Sequence, residues 1–169
     1  MMISRRIFLG TAATAVAWPH VGLAASLPEP SGDVLLEVTG AISKKNSHGA
    51  ATFDRKMMTS LDWVEIETFT SFTDGPQRFA GPTLVSLLEA VGAEGTTLHA
   101  TAINDYTVRI PVEHAARHGV ILAMDMNGVP MRVRDKGPIW VVYPLTEAEA
   151  EKKPFDDQMI WQLARIRID

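Results

Sequence analysis

The side chains of this sequence that could recognise a ligand lie in two charged turns and one aromatic strand. Asp105 stands in the first turn, and Arg134 and Asp135 stand in the second, just before an apolar strand. A carboxylate accepts hydrogen bonds from neighbouring N–H donors, and Trp140 on the strand could stack on a flat ring. Each group also has a structural alternative. An aspartate can stabilise a turn through its own backbone, a charged loop can simply be solvated, and most aromatic residues of apolar strands pack in the core.

The aromatic residues of this strand are constrained by its geometry. Trp140 and Tyr143 are three residues apart, so on a strand they point to opposite faces and at most one of them can face a given pocket. Trp140 is the preferred ligand contact. Trp161 is predicted to lie in the core, and Trp63 in the core or partly at the surface.

A histidine pair offers a second kind of chemistry. His114 and His118 are four residues apart on a predicted helix and therefore share one face. Two histidines at this spacing can bind a metal, but no third ligand lies near them in the sequence, so a charged surface is the favoured interpretation. The chain contains no cysteine, which excludes thiolate metal sites, iron–sulfur clusters and cysteine nucleophiles. It also has no nucleophile elbow, phosphate loop or metalloprotease motif.

The elements that must position these side chains are short. Alternating and apolar runs predict strands, and capping residues with apolar faces predict helices. Asn127-Gly128 is the strongest hairpin signal, and Thr146 with Glu149 predicts a capping box. Predicted strands cover 34–39, 51–53, 64–69, 98–103, 106–110, 120–126, 129–133, 139–143 and 159–168. Predicted helices cover 55–60, 82–92 and 111–118, and a charged surface helix is predicted after 146. This pattern predicts an α+β domain with mixed or antiparallel sheets, and it lacks the alternation and glycine-rich turn of a Rossmann fold.

The first residues predict export. Arg5-Arg6 precede a short apolar run, and Gly22-Leu23-Ala24 supplies small residues for a signal peptidase, so residues 1–24 are predicted to be a twin-arginine signal peptide. Residues 25–33 are then a linker, and residues 34–169 form a single periplasmic domain. Cleavage removes two arginines and no acidic residue, which takes the net charge from −4 to −6. An acidic chain without a basic run is not expected to bind nucleic acid.

Several motifs, in order along the chain, resemble the molybdopterin-binding domain of sulfite oxidase-type oxidoreductases. The quoted segments are Val38-Thr39-Gly40-Ala41-Ile42, Phe79-Ala80-Gly81-Pro82-Thr83-Leu84, Leu87-Leu88-Glu89-Ala90-Val91-Gly92, Asn104-Asp105-Tyr106, Leu122-Ala123, Met126-Asn127-Gly128-Val129-Pro130-Met131, Gly137-Pro138-Ile139-Trp140-Val141-Val142-Tyr143-Pro144, and Trp161-Gln162-Leu163 with Ile166. The resemblance implies the sulfite oxidase molybdopterin-domain fold over nearly all of residues 34–168.

The sequence departs from that family at two positions. The enzymes bind molybdenum through a cysteine in the segment that corresponds to residues 68–73, where this chain has only hydroxyl and phenylalanine side chains. A hydroxyl is a poor substitute for a thiolate on such a metal. Where the enzymes place an arginine suited to anionic cofactor groups, this chain has Trp140. Both departures resemble a cysteine-less, PruR-like branch of periplasmic proteins.

Resemblance to this branch implies that the chain binds a reduced, tetrahydropterin-type ligand rather than the molybdenum cofactor. It also implies a partner, the periplasmic domain of a membrane-bound cyclic-di-GMP synthase/phosphodiesterase. The implied ligand-binding residues are Thr70, Ser71, Asn104, Asp105, Tyr106, Arg134, Asp135, Lys136, Trp140 and Tyr143, with no catalytic residue among them. Two alternatives stay open, a molybdopterin-dependent oxidoreductase subunit of the sulfite oxidase type and a ligand-free interaction domain.

Overall fold

Eleven strands and four short α-helices make up the computed structural model, which describes residues 27–169. The strands are β1 (Val34–Gly40), β2 (Ala51–Asp54), β3 (Trp63–Thr68), β4 (Gln77–Pro82), β5 (Thr97–Ala102), β6 (Thr107–Pro111), β7 (Ile121–Ala123), β8 (Asp125–Met126), β9 (Val129–Pro130), β10 (Trp140–Val142) and β11 (Leu163–Ile168). The helices are α1 (Arg55–Thr59), α2 (Leu84–Val91), α3 (Glu113–His118) and α4 (Glu147–Ala150). The predicted α+β class is confirmed. No helix within residues 27–169 is long and apolar enough to cross a membrane.

The largest sheet is mixed and has the strand order β2-β1-β11-β5-β6. Strands β1 and β11 run parallel, with Glu37 opposite Arg165, and the other pairs are antiparallel. Alternate residues such as Leu36, Val38 and Ile166 are buried, so this sheet turns one face to the core.

Two antiparallel sheets complete the fold, one with the order β3-β4-β8-β9 and one pairing β10 with β7. Strand β4 crosses close to β7 at Gly81, where an added Cβ would lie 2.1 Å from the carbonyl oxygen of Leu122. Only glycine fits at this crossing. The hairpin between β8 and β9 turns at Asn127-Gly128, both with positive φ, which confirms the sequence prediction.

The helix ends follow local capping chemistry. Asp54 caps α1 by accepting a hydrogen bond from the Met57 amide at 2.8 Å, as its position before the helix predicted. Helix α2 ends at Gly92 in the left-handed conformation, also as predicted. Its predicted start is wrong, however. Pro82 is the last residue of β4, and Thr83 is the N-cap because its hydroxyl accepts from the Ser86 amide at 3.2 Å.

Asp54 also fixes the segment before the first strand. Its second carboxylate oxygen accepts hydrogen bonds from the amides of Ser31 and Gly32 at 2.7 and 2.8 Å. These bonds, led by that of the Met57 amide, lower the pKa of Asp54 to about 2. The end of the predicted linker is therefore tied to the domain. The predicted signal peptide, residues 1–24, lies outside the described residues.

Two further differences from the predicted elements affect the site. Strand β4 was not predicted, because its sequence Gln77–Pro82 contains glycine and proline and lacks simple alternation. The final strand was predicted to begin at residue 159, but β11 begins at Leu163. The residues just before it, Met159 to Gln162, form an irregular segment that is held by other strands.

The buried apolar residues form two clusters on either side of β10. The larger cluster joins the five-stranded sheet to α1, α2 and α3 and includes Tyr143. The smaller one includes Trp140, Phe79 and Met131. Trp140 and Tyr143 thus lie on opposite sides of this strand, as its alternation predicted.

Candidate functional site

A cleft of about 470 Å³ opens beside the turn between β5 and β6. Three segments form it: the connection from β3 to β4, the β5–β6 turn, and the connection from α4 to β11. Its lining residues are Phe72 from the first segment, Ala102, Asn104 and Tyr106 from the second, and Asp156, Asp157, Met159, Ile160 and Trp161 from the third. Its volume falls within the roughly 300–1,000 Å³ that is usual for small-molecule sites.

Three aromatic rings give this cleft its apolar surface. Trp161 is 38% exposed and Tyr106 is 57% exposed, which is unusual for side chains of this size. Phe72 is half-buried and meets Trp161 edge to face, with ring centroids 5.1 Å apart. The prediction that Trp161 lies in the core is wrong, because the residue precedes β11 rather than belonging to it.

Two carboxylates stand beside these rings. Asp156 is half-buried, and Asp157 is exposed. Ser71 donates its hydroxyl hydrogen bond to Asp156 Oδ2 at 2.7 Å, which fixes the orientation of that carboxylate. The cleft therefore combines flat apolar surface with acceptors suited to a ligand rich in N–H donors.

The wall that carries Met159, Ile160 and Trp161 is held from behind. The buried indole N–H of Trp140 donates to the carbonyl oxygen of Met159 at 3.0 Å. The amide of Val141 donates to the carbonyl oxygen of Ile160 at 2.9 Å. Strand β10 thus positions the wall through both backbone and side-chain bonds. Trp140 is completely buried, so its ring faces the core and not the cleft.

The Lys136 side chain lies close to both tryptophans. Its ammonium group is 5.3 Å from the ring centroid of Trp140 and 6.0 Å from that of Trp161. The same group donates to the carbonyl oxygen of Phe72 at 3.3 Å, and the backbone carbonyl of Lys136 accepts from the Gln162 amide at 3.0 Å. One residue therefore connects the two segments that supply Phe72 and Trp161.

The predicted turn 104–106 is present, and its side chains divide between two roles. Asn104 and Tyr106 line the cleft. Asp105 has a φ of 67°, and its carboxylate pairs with Arg165 on β11. The proposed turn role for Asp105 thus matches its backbone, and its side chain is not among those lining the cleft.

The other predicted residues lie away from the cleft. Thr70 is buried, and its hydroxyl is 2.9 Å from that of Thr73. Arg134 is exposed, and Asp135 pairs with Arg132 at 2.7 Å on the protein surface. Tyr143 is fully buried on the opposite side of β10. Of the ten residues, Asn104 and Tyr106 line the cleft, while Ser71, Lys136 and Trp140 reach it through its lining residues.

The histidine pair has a different setting from the charged surface that was predicted. His114 and His118 do share one face of α3, with ring centroids 4.8 Å apart. Both are half-buried, however, and pack against Tyr143 and Phe155. Across residues 27–169, no group of three or more histidine, aspartate or glutamate side chains is arranged to hold a metal ion.

Sequence reasoning missed seven of the nine lining residues, among them Phe72, Asp156, Asp157 and Trp161. A signal for them did exist. Tryptophan next to a polar residue, after a segment with proline and two aspartates, is more typical of a loop than of a strand interior. The prediction of one strand from residue 159 removed Trp161 from consideration.

Comparisons with known proteins agree with this architecture. The sequence model of the family described as "Oxidoreductase molybdopterin binding domain" matches residues 42–155. Among solved structures, the chain is similar to the sulfane dehydrogenase SoxCD from Paracoccus pantotrophus, with a TM-score of 0.60 and 19% identity. The similarity covers 79% of this chain and 37% of the other, so the chain spans well under half the length of that protein. No curated protein sequence matches the chain.

The match over residues 42–155 includes two of the three segments that form the cleft, and it spans most of the described fold. The structural likeness independently supports the same fold. The chain belongs to the oxidoreductase molybdopterin-binding domain family.

Proposed function

We propose that this protein binds a reduced, tetrahydropterin-type molecule without molybdenum in the cleft between Tyr106 and Trp161. The observation that carries the proposal is the pairing of exposed aromatic rings with the carboxylates of Asp156 and Asp157 in one cleft. A pterin presents a flat ring and a guanidine-like edge of neighbouring N–H donors. The rings match the first feature and the carboxylates match the second.

The residues of the chain do not fit thiolate ligation of molybdenum. The sequence has no cysteine. Thr68 opens the segment where the related enzymes carry their cysteine ligand, and its hydroxyl is fully engaged. It accepts from the Leu145 amide at 2.7 Å and lies 3.1 Å from the carbonyl oxygens of Tyr143 and Leu145. Thr68 has no exposed surface.

The binding protein is proposed to act as a periplasmic sensor. Residues 1–24 have the features of a twin-arginine signal peptide, which directs folded proteins to export. The proposed partner is the periplasmic domain of a membrane cyclic-di-GMP synthase/phosphodiesterase, whose activity would report whether the cleft is filled. This role needs ligand binding and no catalysis.

Binding is tested by calorimetry on the purified protein with tetrahydrobiopterin under anaerobic conditions. We expect saturable one-to-one binding that weakens at least tenfold in Asp157→Asn, because the variant loses a charged acceptor at the donor edge of the ligand. Asp33→Asn is the matched control, since Asp33 is an exposed aspartate that does not line the cleft. Absence of binding by protein with a normal unfolding transition would contradict the proposal.

The alternative of a molybdopterin-dependent oxidoreductase is separated by elemental analysis. Protein purified from its native host should contain a co-purified pterin and substoichiometric molybdenum. One molybdenum per chain would overturn the sensor proposal.

The partner is tested by co-purification of the protein with the periplasmic domain of a membrane cyclic-di-GMP enzyme from the same host. The expected complex forms or dissociates when tetrahydrobiopterin is added. A complex whose stability is the same with and without the ligand would contradict the signalling role and leave ligand binding itself intact.

A further inference from the structure

A cluster of four aromatic rings packs behind the turn that carries Asp156 and Asp157, the acidic wall of the cleft. Tyr143 and Phe155 are stacked, with centroids 4.3 Å apart and an angle of 14° between the rings. His118 lies 4.7 Å from the Phe155 ring and His114 lies 5.6 Å from it. Helix α3 and the end of β10 therefore hold Phe155 from two sides.

The hydrogen bond within this cluster depends on the charge of His114. Its Nδ1 atom lies 3.0 Å from the hydroxyl oxygen of Tyr143. Neutral imidazole accepts a hydrogen bond from the tyrosine hydroxyl when Nδ1 is unprotonated. A protonated imidazole can only donate at Nδ1, so the buried hydroxyl would lose its acceptor. An unpaired buried donor is unfavourable.

Phe155 connects this cluster to the cleft. It directly precedes Asp156 and Asp157 in the sequence, and its carbonyl oxygen accepts from the amides of Gln158 and Met159 at 2.9 and 3.0 Å. The turn that presents both carboxylates is thus built on Phe155. A displacement of the Phe155 ring from its place on Tyr143 would move the acidic wall.

We infer that the histidine pair is a proton-sensitive latch for the cleft, in which protonation of His114 releases Phe155 and weakens ligand binding. This inference rests on the proposed function, because it assigns a regulation to the same cleft. It requires only that His114 be neutral when the acidic wall is in its described position.

The charges around His114 favour its neutral form. Burial lowers its pKa below the usual value of 6.5, and the neighbouring His118 and Arg117 on α3 lower it further, while Glu113 opposes them. From the other packed elements, the neutral hydroxyl of Tyr143 and the apolar ring of Phe155 face it. The latched state is therefore complete above pH 6.5. It is lost as the pH falls through the lowered pKa of His114, because the ring then takes up a proton.

The test measures tetrahydrobiopterin affinity between pH 8 and pH 5.5 in the native protein and in a His114→Asn/His118→Gln double variant. Asparagine keeps an acceptor near Nδ1 and neither replacement titrates. We expect the native affinity to fall roughly fivefold more than that of the variant over this range. This factor is near the low end of the coupling usually found between two binding sites, here those of the proton and the ligand. Titration of the pterin itself is common to both proteins and cancels. His48→Gln, at an exposed histidine away from the cluster, should behave as the native protein does.

A second measurement does not need a ligand. Hydrogen exchange of the amides of residues 155–162, corrected for intrinsic rates, should accelerate between pH 7.5 and pH 5.5 in the native protein and stay constant in the double variant. Equal pH profiles in both proteins would overturn the latch. If tetrahydrobiopterin does not bind at any pH but the exchange still responds as described, the proposed ligand fails and the latch stands.

Discussion

Trp140 and Trp161 lie 6.2 Å apart between ring centroids, yet they face different environments. Trp140 packs edge to face on Phe79, is completely buried, and uses its indole N–H to hold Met159. Trp161 leaves more than a third of its surface exposed beside Tyr106. The difference shows how a cleft with exposed aromatic surface can be built directly on a core. The buried ring fixes the wall, and the exposed ring is left free to contact a ligand.

The largest expected effect is on stability, from Trp140→Ala. The cavity left in the smaller cluster should lower the free energy of unfolding by about 3–5 kcal/mol, the usual cost for a buried tryptophan. Urea denaturation measures this loss. Trp140→Phe is the companion variant, which keeps most of the packing and removes the bond to Met159. A loss below about 1 kcal/mol in the alanine variant would contradict the structural role.

The next effect is on binding, from Trp161→Ala. We expect the affinity for tetrahydrobiopterin to fall at least tenfold, or about 1.4 kcal/mol, because the variant loses the exposed ring of the cleft. Its unfolding free energy should change much less than in Trp140→Ala. Calorimetry and urea denaturation together check both expectations. The comparison between the two tryptophans fails if Trp161→Ala destabilises the protein as much as Trp140→Ala does.

A smaller effect is expected from Lys136→Met, since the ammonium group lies close to both rings. The methionine keeps the apolar stem and removes the cation, which should weaken binding about threefold through the loosened Phe72 and Trp161. Lys56→Met, at an exposed lysine of α1, is the matched control. Unchanged affinity in Lys136→Met would show that the ammonium group contacts solvent and does not help to position Phe72 and Trp161 for binding.

The smallest effect is expected at α4, which leads into the acidic wall. Glu149 accepts from the amide and hydroxyl of Thr146, chiefly the amide, and these bonds lower its pKa below 4.5. Its contribution to stability is therefore present above pH 4.5 and is lost as the pH falls through its folded-state pKa. Glu149→Gln should unfold at slightly lower urea than the native protein at pH 7, and the difference should shrink as the pH falls below 4.5. A difference that does not change with pH would show that the charge is not its cause.

The fold was largely predictable, because its signals are local. Asp54 before a helical run, Gly92 after one, and Asn127-Gly128 between strands each specify a conformation through their own backbone chemistry. Strand β4 was not predictable in this way. Its place depends on a close crossing at Gly81, which only the packed structure reveals.

The candidate site was less predictable, because it depends on where a strand begins. Sequence reasoning found Asn104 and Tyr106 from the turn pattern. Trp140 was preferred because it stands where the related enzymes have an arginine, and Trp161 was assigned to the core. Both lie in apolar segments, and periodicity cannot show which ring is covered. The aspartates that accompany Trp161 come from an irregular segment, whose geometry is set by bonds to β10 rather than by its own residues.

The parallel pairing of β1 with β11 has a consequence for biosynthesis. Strand β11 lies between β1 and β5, with Glu37 opposite Arg165 and Ile166 opposite Ala100. A nascent chain that still lacks this strand has two unpaired edges in its main sheet and cannot close its core. Folding must therefore follow translation of residue 168, and contacts between such distant residues form slowly. Any machinery that accepts only folded cargo would in this way also reject truncated copies.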